Sequence, residues 1–180
     1  HPERGFNYIH VTGTAGKGSV TNLLHEILLA DGKRVGSFTS PTVTSLIEAI
    51  RVNNLFIAPD EFANLLTSIK PLIDEAYRNS PYGGPSAFEI QLALGFLYFK
   101  KMKCEWVVLE VGMGGAYDAT NVISDPKVTV ITNIDYDHTN LLGKKLTDIA
   151  RVKAGVIKKE CHFFTSEQRP SLLKFLRSQC

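Results

Sequence analysis

The chain has few cysteines, no long apolar run and little net charge, and each absence excludes a class of protein. Its three cysteines, Cys104, Cys161 and Cys180, are odd in number and lack C-x-x-C spacing, which fits neither a disulfide framework nor a zinc site. No apolar run reaches the roughly 18 to 20 residues that cross a bilayer, and the start, HPERGFNYIH, lacks the apolar segment of a signal peptide. We therefore expect a cytoplasmic protein without a membrane partner.

The balance of charge gives no support for a nucleic-acid partner. Lys and Arg number 20 against 18 Asp and Glu, a net charge of +2, so a ligand must be bound by a specific site rather than by a basic surface. The chain has no internal repeat and no low-complexity segment. At 180 residues, 44% of them hydrophobic, it can bury the core of one soluble domain, which we expect to be a monomer.

Segments typical of strands alternate with segments typical of helices. A β-branched stretch over residues 6–12 ends at a glycine-rich turn, and apolar residues then recur at helical spacing, namely Val20, Leu23, Leu24, Ile27 and Leu28. An S-x-x-E capping box, Ser86 to Glu89, opens a later apolar helix. Further elements are predicted as strands in RVGSFTSP, EWVVLEVG, KVTVITNI and CHFFT, a hairpin at Asn53-Asn54, a helix over about residues 59–77 and a helical stretch in LTDIARVKAGVIK. This alternation predicts an α/β fold, a mostly parallel sheet with helices on both faces.

The stretch VTGTAGKGSV, residues 11–20, lies between the first predicted strand and the first predicted helix. Its glycines allow successive N–H groups to point inward, the helix adds its positive N-terminal end, and Lys17 adds a cation. The stretch departs from the usual G-x-x-x-x-G-K-[ST] pattern because Gly18 stands where Ser or Thr is expected. An ordinary glycine-rich turn is the alternative, but the flanking strand and amphipathic helix favour a polyphosphate site.

Further candidates follow predicted strands or lie on a predicted helix. Glu110 comes where the strand in EWVVLEVG ends, at the side of an open α/β sheet where ligands bind. Asp135, Asp137 and His138 follow the strand in KVTVITN in the same way, and Lys153 lies in ARVKAGVIKK. Each also has an ordinary explanation when taken alone. Glu110 could be a local hydrogen-bond partner, His138 a helix cap and Lys153 a solvent-exposed lysine.

Taken in order, the segments HVTGTAGKGSV, GSFTSP, FEIQLALGFLYF, LEVGMGGAYDATNVI, ITNIDYDHTNLLG and VKAGVIK closely resemble the folylpolyglutamate synthase and dihydrofolate synthase family of the Mur ligase superfamily. The resemblance implies that residues 1–180 form a P-loop-containing Mur-ligase central (ATPase) domain, incomplete at its C-terminus and without the C-terminal glutamate-ligase domain. In that family the phosphate loop itself reads Gly-Thr-x-Gly-Lys-Gly-Ser, so the departure at Gly18 is a family trait. The ATP triphosphate site would be formed by Gly13, Thr14, Ala15, Gly16, Lys17, Gly18 and Ser19.

The resemblance also implies two Mg²⁺ sites and a modified lysine. Ser40 and Glu110 would hold one Mg²⁺, with Ser19 as a further candidate ligand. Glu110, His138 and a carbamylated Lys153 would hold the second, because a carbamate offers the oxygen donors that Mg²⁺ prefers and a free ammonium offers none. Such a modification requires a neutral amine, and thus a site that lowers the pKa of the lysine or traps the product.

The implied reaction is ATP-dependent amide formation between L-glutamate and a folate-type carboxylate, dihydropteroate or tetrahydrofolate, through an acyl phosphate. A triphosphate and a carboxylate repel each other, and the metals, Lys17 and the helix N-terminus would offset that repulsion. Asp118, in GGAYDATN, would contact the substrate. The residues expected to act in catalysis are Lys17, Glu110, His138 and Lys153.

The identity of the substrate stays open. Thr42 and Ala49 replace a His and an Arg that are common in the family, and Asp135 stands where Gly is frequent. A Mur-type ligase with another carboxylate substrate and a noncatalytic nucleotide-binding relative are the alternatives. Family members are longer and have a second α/β domain that closes on the first, so we expect residues 1–180 alone to bind nucleotide weakly and to turn over poorly, if at all.

Overall fold

The computed structural model describes residues 1–180, and its centre is one seven-stranded sheet. The strands are β1 (Asn7–Thr12), β2 (Val35–Phe38), β3 (Ile50–Val52), β4 (Leu55–Phe56), β5 (Trp106–Glu110), β6 (Val128–Ile131) and β7 (His162–Thr165). Their order across the sheet is β4-β3-β2-β5-β1-β6-β7. The strands from β2 to β7 in that order are mutually parallel, whereas the β3–β4 hairpin is antiparallel and forms one edge.

Six α-helices and two short 3-10 helices accompany the strands, and the last α-helix follows β7. The α-helices are α1 (Lys17–Ala30), α2 (Pro59–Asn79), α3 (Ala87–Lys101), α4 (Thr139–Leu142), α5 (Leu146–Ala154) and α6 (Pro170–Arg177), and the 3-10 helices are Leu46–Ala49 and Ala119–Val122. The predicted capping box is confirmed at α3, where Ser86 Oγ accepts the Glu89 N–H and the Glu89 carboxylate accepts the Ser86 N–H. None of the helices combines the length and apolar character needed to span a membrane. All three cysteines are free thiols.

Helices cover both faces of the sheet, which confirms the predicted α/β fold, but they are divided unequally. Helix α1 covers one face, where Leu24 and Leu28 pack with Val11. On the other face α3 builds the largest core, which includes Phe38. Helices α5 and α6 pack on that same face beside β6, around Ile131. The central strands are therefore buried on both sides, as expected for parallel strands.

The spacing predicts the buried face of the first helix only in part: Val20, Leu24 and Leu28 pack against the core, whereas the other two predicted residues are exposed. Helix α1 begins at Lys17 rather than near residue 19, and Leu23 and Ile27 are 63% and 62% exposed. The fully buried positions are Thr21 and His25. His25 is accommodated because its Nε2 forms a 2.8 Å hydrogen bond with a backbone carbonyl of the hairpin turn.

Helix α2 confirms its predicted bounds but buries less than predicted. Phe62, Leu65 and Ile69 pack partly against the core formed with α3, whereas Leu72 is 66% exposed and no side chain of the helix is fully buried. The helix continues through Pro71. It lies outside the sheet, against α3, so only a narrow stripe of its predicted inner face is covered.

Candidate active site

The predicted ligand-binding residues gather at the edge of the sheet where the parallel strands end. The glycine loop follows β1, Glu110 is the last residue of β5, and Ser40 lies just beyond β2. The segment 132–138 follows β6, next to β1 in the sheet. Ligands of open α/β sheets bind at this edge, so the topology places the candidates where the sequence predicts a site.

The glycine loop has the conformation that a phosphate loop needs. Gly16 is the N-cap of α1 and has a left-handed backbone, with φ 78° and ψ 4°, which a glycine adopts without strain. The N–H groups of residues 16–19 have no acceptor within the chain. They add to the positive end of the helix dipole, and Lys17 supplies a cation at the same place. This arrangement can bind an anion that has several oxygens.

The segment 132–135, directly after β6, holds the glycine loop in place. Asn133 accepts the Ala15 N–H on its Oδ1 at 2.9 Å and the Thr14 N–H on its backbone carbonyl at 2.9 Å. Thr14 Oγ1 accepts the Asp135 N–H at 2.9 Å and donates to the Asp135 carbonyl at 3.1 Å. Thr132 Oγ1 donates to the Ala15 carbonyl at 2.6 Å. Sequence reasoning missed Thr132 and Asn133, although two polar residues at the carboxyl end of a strand were a usable signal.

Glu110 lies beside the glycine loop, near the position from which a Ser or Thr hydroxyl would project in the usual pattern. A Cβ added at Gly18 would lie 3.5 Å and 3.7 Å from the two carboxylate oxygens of Glu110. The residue is 4% exposed, yet its carboxylate accepts one hydrogen bond, from the Ser40 N–H at 3.2 Å. Burial raises the pKa of Glu110, and the Ser40 N–H and the Lys17 ammonium oppose that rise. A buried carboxylate that uses one of its roughly four acceptor positions is a fitting ligand for a cation.

Lys153 is the second buried charged residue at this edge. It lies on α5, is 1% exposed, and lies close to the loop after β5 because the Ala116 N–H donates to the Val152 carbonyl at 2.8 Å. Burial and the Lys17 ammonium lower the pKa of Lys153 to about 8, while Asp137 raises it. An amine with a pKa of about 8 is partly neutral near neutral pH, which is the form that could add CO₂.

Three of the other predicted site residues line a cavity beside these groups, and Ser19 does not. Ser40, Asp118 and His138 line one cavity of about 630 Å³. The His138 side chain is about half exposed, and its Nε2 lies 3.5 Å from Asp137 Oδ1. Ser19 is exposed in the first turn of α1. No group of three or more His, Cys, Asp or Glu side chains is close enough to hold a metal ion, so the two ligand sets, which also draw on serine and lysine, stay predictions.

Asp118 closes the loop that follows β5. Its Oδ1 accepts the Thr120 N–H at 3.0 Å and the Thr120 hydroxyl at 2.6 Å, and its Oδ2 accepts the Met113 N–H at 2.9 Å. These bonds leave one of about four acceptor positions free on the carboxylate. Because Asp118 also lines the cavity, that position is available to an N–H or O–H group of a ligand, and its predicted contact with substrate stays a prediction.

Comparison with known proteins gives one consistent result. The family model described as the Mur ligase middle domain matches residues 11–162. The dihydrofolate synthase/folylpolyglutamate synthase of Bacillus subtilis (strain 168) is 41% identical over 180 residues, which cover 99% of this chain and 41% of that protein. A solved folylpolyglutamate synthase of Mycobacterium tuberculosis, complexed with ADP and AMPPCP, is 33% identical with a TM-score of 0.90, covering 99% of this chain and 41% of that one.

A solved FPGS–AMPPCP–folate complex is 34% identical to the chain with a TM-score of 0.92, covering 99% of this chain and 43% of that one. This agreement of sequence and structure extends along nearly the whole chain. The chain spans about 41% of the length of its Bacillus subtilis relative, and the shares of the two solved structures are similar.

Proposed function

This chain belongs to the Mur ligase middle-domain family, and from that premise we propose that it is the ATP-binding part of a ligase that joins L-glutamate to a folate-type carboxylate. The observation that carries the proposal is the set of free N–H groups on residues 16–19, next to the buried carboxylate of Glu110 and near the buried amine of Lys153. The substrates are inferred from the relatives, which are named dihydrofolate synthase and folylpolyglutamate synthase, and one of which was solved with AMPPCP and folate.

The glycine loop would hold the triphosphate of ATP through residues 13–19. Its N–H groups would donate to phosphate oxygens, and Lys17 would neutralise part of their charge. The hydrogen bonds from segment 132–135 support this role, because a loop that is already in its binding conformation loses less entropy when the nucleotide binds.

Glu110 is the residue that best fits a role in Mg²⁺ binding. Ser40 and Glu110 would hold one Mg²⁺, and Glu110, His138 and a carbamylated Lys153 would hold the other. The fit rests on the nearly unpartnered carboxylate of Glu110 and on the buried amine of Lys153, which as a carbamate would provide oxygen donors. When bound, the metals supply positive charge to the phosphate oxygens.

The proposed reaction has two steps. A carboxylate oxygen of the acid attacks the γ-phosphorus of ATP, and ADP leaves with the electrons of the broken bond. The amine of L-glutamate then attacks the acyl carbon, phosphate leaves, and the nitrogen loses a proton to give the amide. In both steps Lys17 and the N-terminus of α1 would stabilise the negative charge on the transferred group, and Asp118 would orient the acid through its free acceptor position.

The proposal is tested in the complete ligase, of which this chain would be the ATP-binding part, by L-glutamate-dependent release of ADP in the presence of tetrahydrofolate or dihydropteroate. We expect Lys17→Ala to abolish release and Lys100→Ala, which removes an exposed lysine on α3, to leave it unchanged. Release with another acid but with neither folate would identify a Mur-type ligase of different specificity. Nucleotide binding that Lys17→Ala does not weaken, without any ADP release, would identify a noncatalytic relative.

We expect residues 1–180 alone to release little ADP. We also propose that the protein is a cytoplasmic monomer that acts on small molecules.

A further inference from the structure

A buried histidine on β1 is the most unusual polar group outside the site described above. His10 is 0% exposed and lies two residues before the end of β1. Its Nε2 is 2.8 Å from the hydroxyl of Thr120, whereas its Nδ1 is buried without any hydrogen-bond partner. An unpartnered buried acceptor lowers the stability of the fold, so an apolar side chain would serve β1 better if stability were its only role.

The hydrogen bonds around Thr120 fix the protonation of His10. The Thr120 hydroxyl has one proton to donate. It donates that proton in the 2.6 Å hydrogen bond to Asp118 Oδ1, because an ionised carboxylate can only accept. The Thr120 oxygen must then accept from His10, so His10 carries its proton on Nε2. Burial, helped by the Lys158 ammonium, lowers the pKa of His10 to about 3, and the ring is therefore neutral in the physiological range.

The hydrogen-bonded chain from His10 ends at the cavity. Asp118 also accepts the Met113 N–H at 2.9 Å, and both Met113 and Asp118 line the 630 Å³ cavity together with Ser40 and His138. The loop after β5 is thus attached to the middle of β1. A second attachment lies two residues further along the same strand, where Thr12 Oγ1 donates to the Gly114 carbonyl at 2.6 Å.

We propose that His10 is a positioning residue for the acid-binding side of the cavity, acting through Thr120 to orient the Asp118 carboxylate and the Met113 N–H. The inference rests on the proposed function, since it assigns the cavity to the carboxylate substrate rather than to ATP. The glycine loop is held by segment 132–135 instead, so loss of His10 should change binding of the acid and leave binding of nucleotide almost unchanged.

Four variants separate this role from a purely structural one. His10→Phe removes the donor, and His10→Gln keeps an N–H donor that can reach Thr120. Thr120→Val removes the hydroxyl that links His10 to Asp118. The matched control is Thr129→Val. Thr129 lies on β6, pairs with His10 and is as buried as Thr120. The substitution removes a hydroxyl that donates to a backbone carbonyl at 3.3 Å.

Each variant is made in the complete ligase and measured in three ways: KM for the acid and for ATP, thermal unfolding, and amide hydrogen exchange at residue 113. We expect His10→Phe and Thr120→Val to raise KM for the acid about fivefold, the effect of one hydrogen bond, and to speed exchange at residue 113. The KM for ATP should change less than twofold, and His10→Phe should not lower the unfolding temperature. His10→Gln and Thr129→Val should resemble the unaltered protein in KM and exchange.

The outcomes also distinguish this inference from the proposed function. A lower unfolding temperature with unchanged KM and unchanged exchange in His10→Phe would show a structural role and overturn the inference. A protein that uses no folate-type acid would overturn the proposed function, and the assignment of the cavity to that acid would be lost with it. In that case the exchange measurement alone decides. Faster exchange at residue 113 in His10→Phe would support the positioning of the loop by His10, and unchanged exchange would refute that positioning.

Discussion

Two glycines of the glycine loop offer a direct test of how tightly that loop is packed. Gly13 and Gly16 both have positive φ, 151° and 78°, so alanine at either position incurs backbone strain of roughly 1–3 kcal/mol. Their surroundings differ. A Cβ at Gly16 would meet nothing within 4 Å, whereas a Cβ at Gly13 would lie 1.7 Å from Thr132 Oγ1. Gly16→Ala is therefore a control with the same chemistry in the same loop.

The additional cost of Gly13→Ala can be estimated from what must move. Thr132 has to withdraw, which breaks its 2.6 Å hydrogen bond to the Ala15 carbonyl, worth about 1 kcal/mol. Forcing a methyl group into packed surroundings adds about 1–3 kcal/mol. We therefore expect Gly13→Ala to lower the free energy of unfolding by at least ~2 kcal/mol more than Gly16→Ala.

Urea unfolding without nucleotide measures this difference, and titration with AMPPCP measures its effect on binding. Thr132→Ala should restore part of the stability of Gly13→Ala, because it removes the clashing oxygen, whereas Thr132→Ser should not. Equal destabilisation by Gly13→Ala and Gly16→Ala would refute the view that Thr132 packs directly against the loop.

Three further predictions concern residues at the same edge. Asn133→Ala should weaken AMPPCP binding about fivefold through loss of the bond to the Ala15 N–H, and Asn140→Ala, at an exposed position, should not. Glu110→Gln should reduce the Mg²⁺ dependence of nucleotide binding in calorimetric titrations; an unchanged Mg²⁺ dependence would exclude Glu110 as a ligand. Hydrogen bonds from Arg169 hold the pKa of Glu167 at about 2, so this carboxylate stabilises the fold above pH 4.5 and loses that effect as the pH falls toward 2. Glu167→Gln should remove ~1 kcal/mol of stability at neutral pH and flatten acid unfolding in that window.

The parts of the fold that could be predicted are those set by local sequence. The strand, glycine loop and helix at residues 7–30 follow from periodicity and glycine placement, and Glu110 was predicted from its position at a strand end. The parts that could not be predicted depend on contacts between distant residues. Asn133 and Ala15 are 118 positions apart and His10 and Thr120 are 110 apart, and nothing local to either partner indicates the other.

The departures from the family pattern, at Asp135 and Thr42, also differ in what the structure adds to the sequence. Asp135 stands where glycine is frequent, and the structure explains why the change is compatible with the phosphate loop. Its contacts with Thr14 use only the backbone N–H and carbonyl of Asp135, so its side chain is not needed there. Thr42, by contrast, lines the cavity that we propose to bind the acid, so its replacement of histidine stays a candidate determinant of substrate identity.

Because Glu110 lies next to Gly18, the function that we propose would divide the work of a phosphate loop between two separate pieces of chain. In the usual pattern one segment provides both the N–H groups and the hydroxyl beside them. Here the N–H groups come from the start of α1 and the carboxylate from the end of β5, and the parallel pairing of β1 with β5 brings the two together. Transplanting residues 7–30 together with segment 132–135 into another sheet would therefore transfer the anion-binding loop and its support without the carboxylate. A protein engineer could then change the carboxylate in β5 without altering the segments that form and hold the loop.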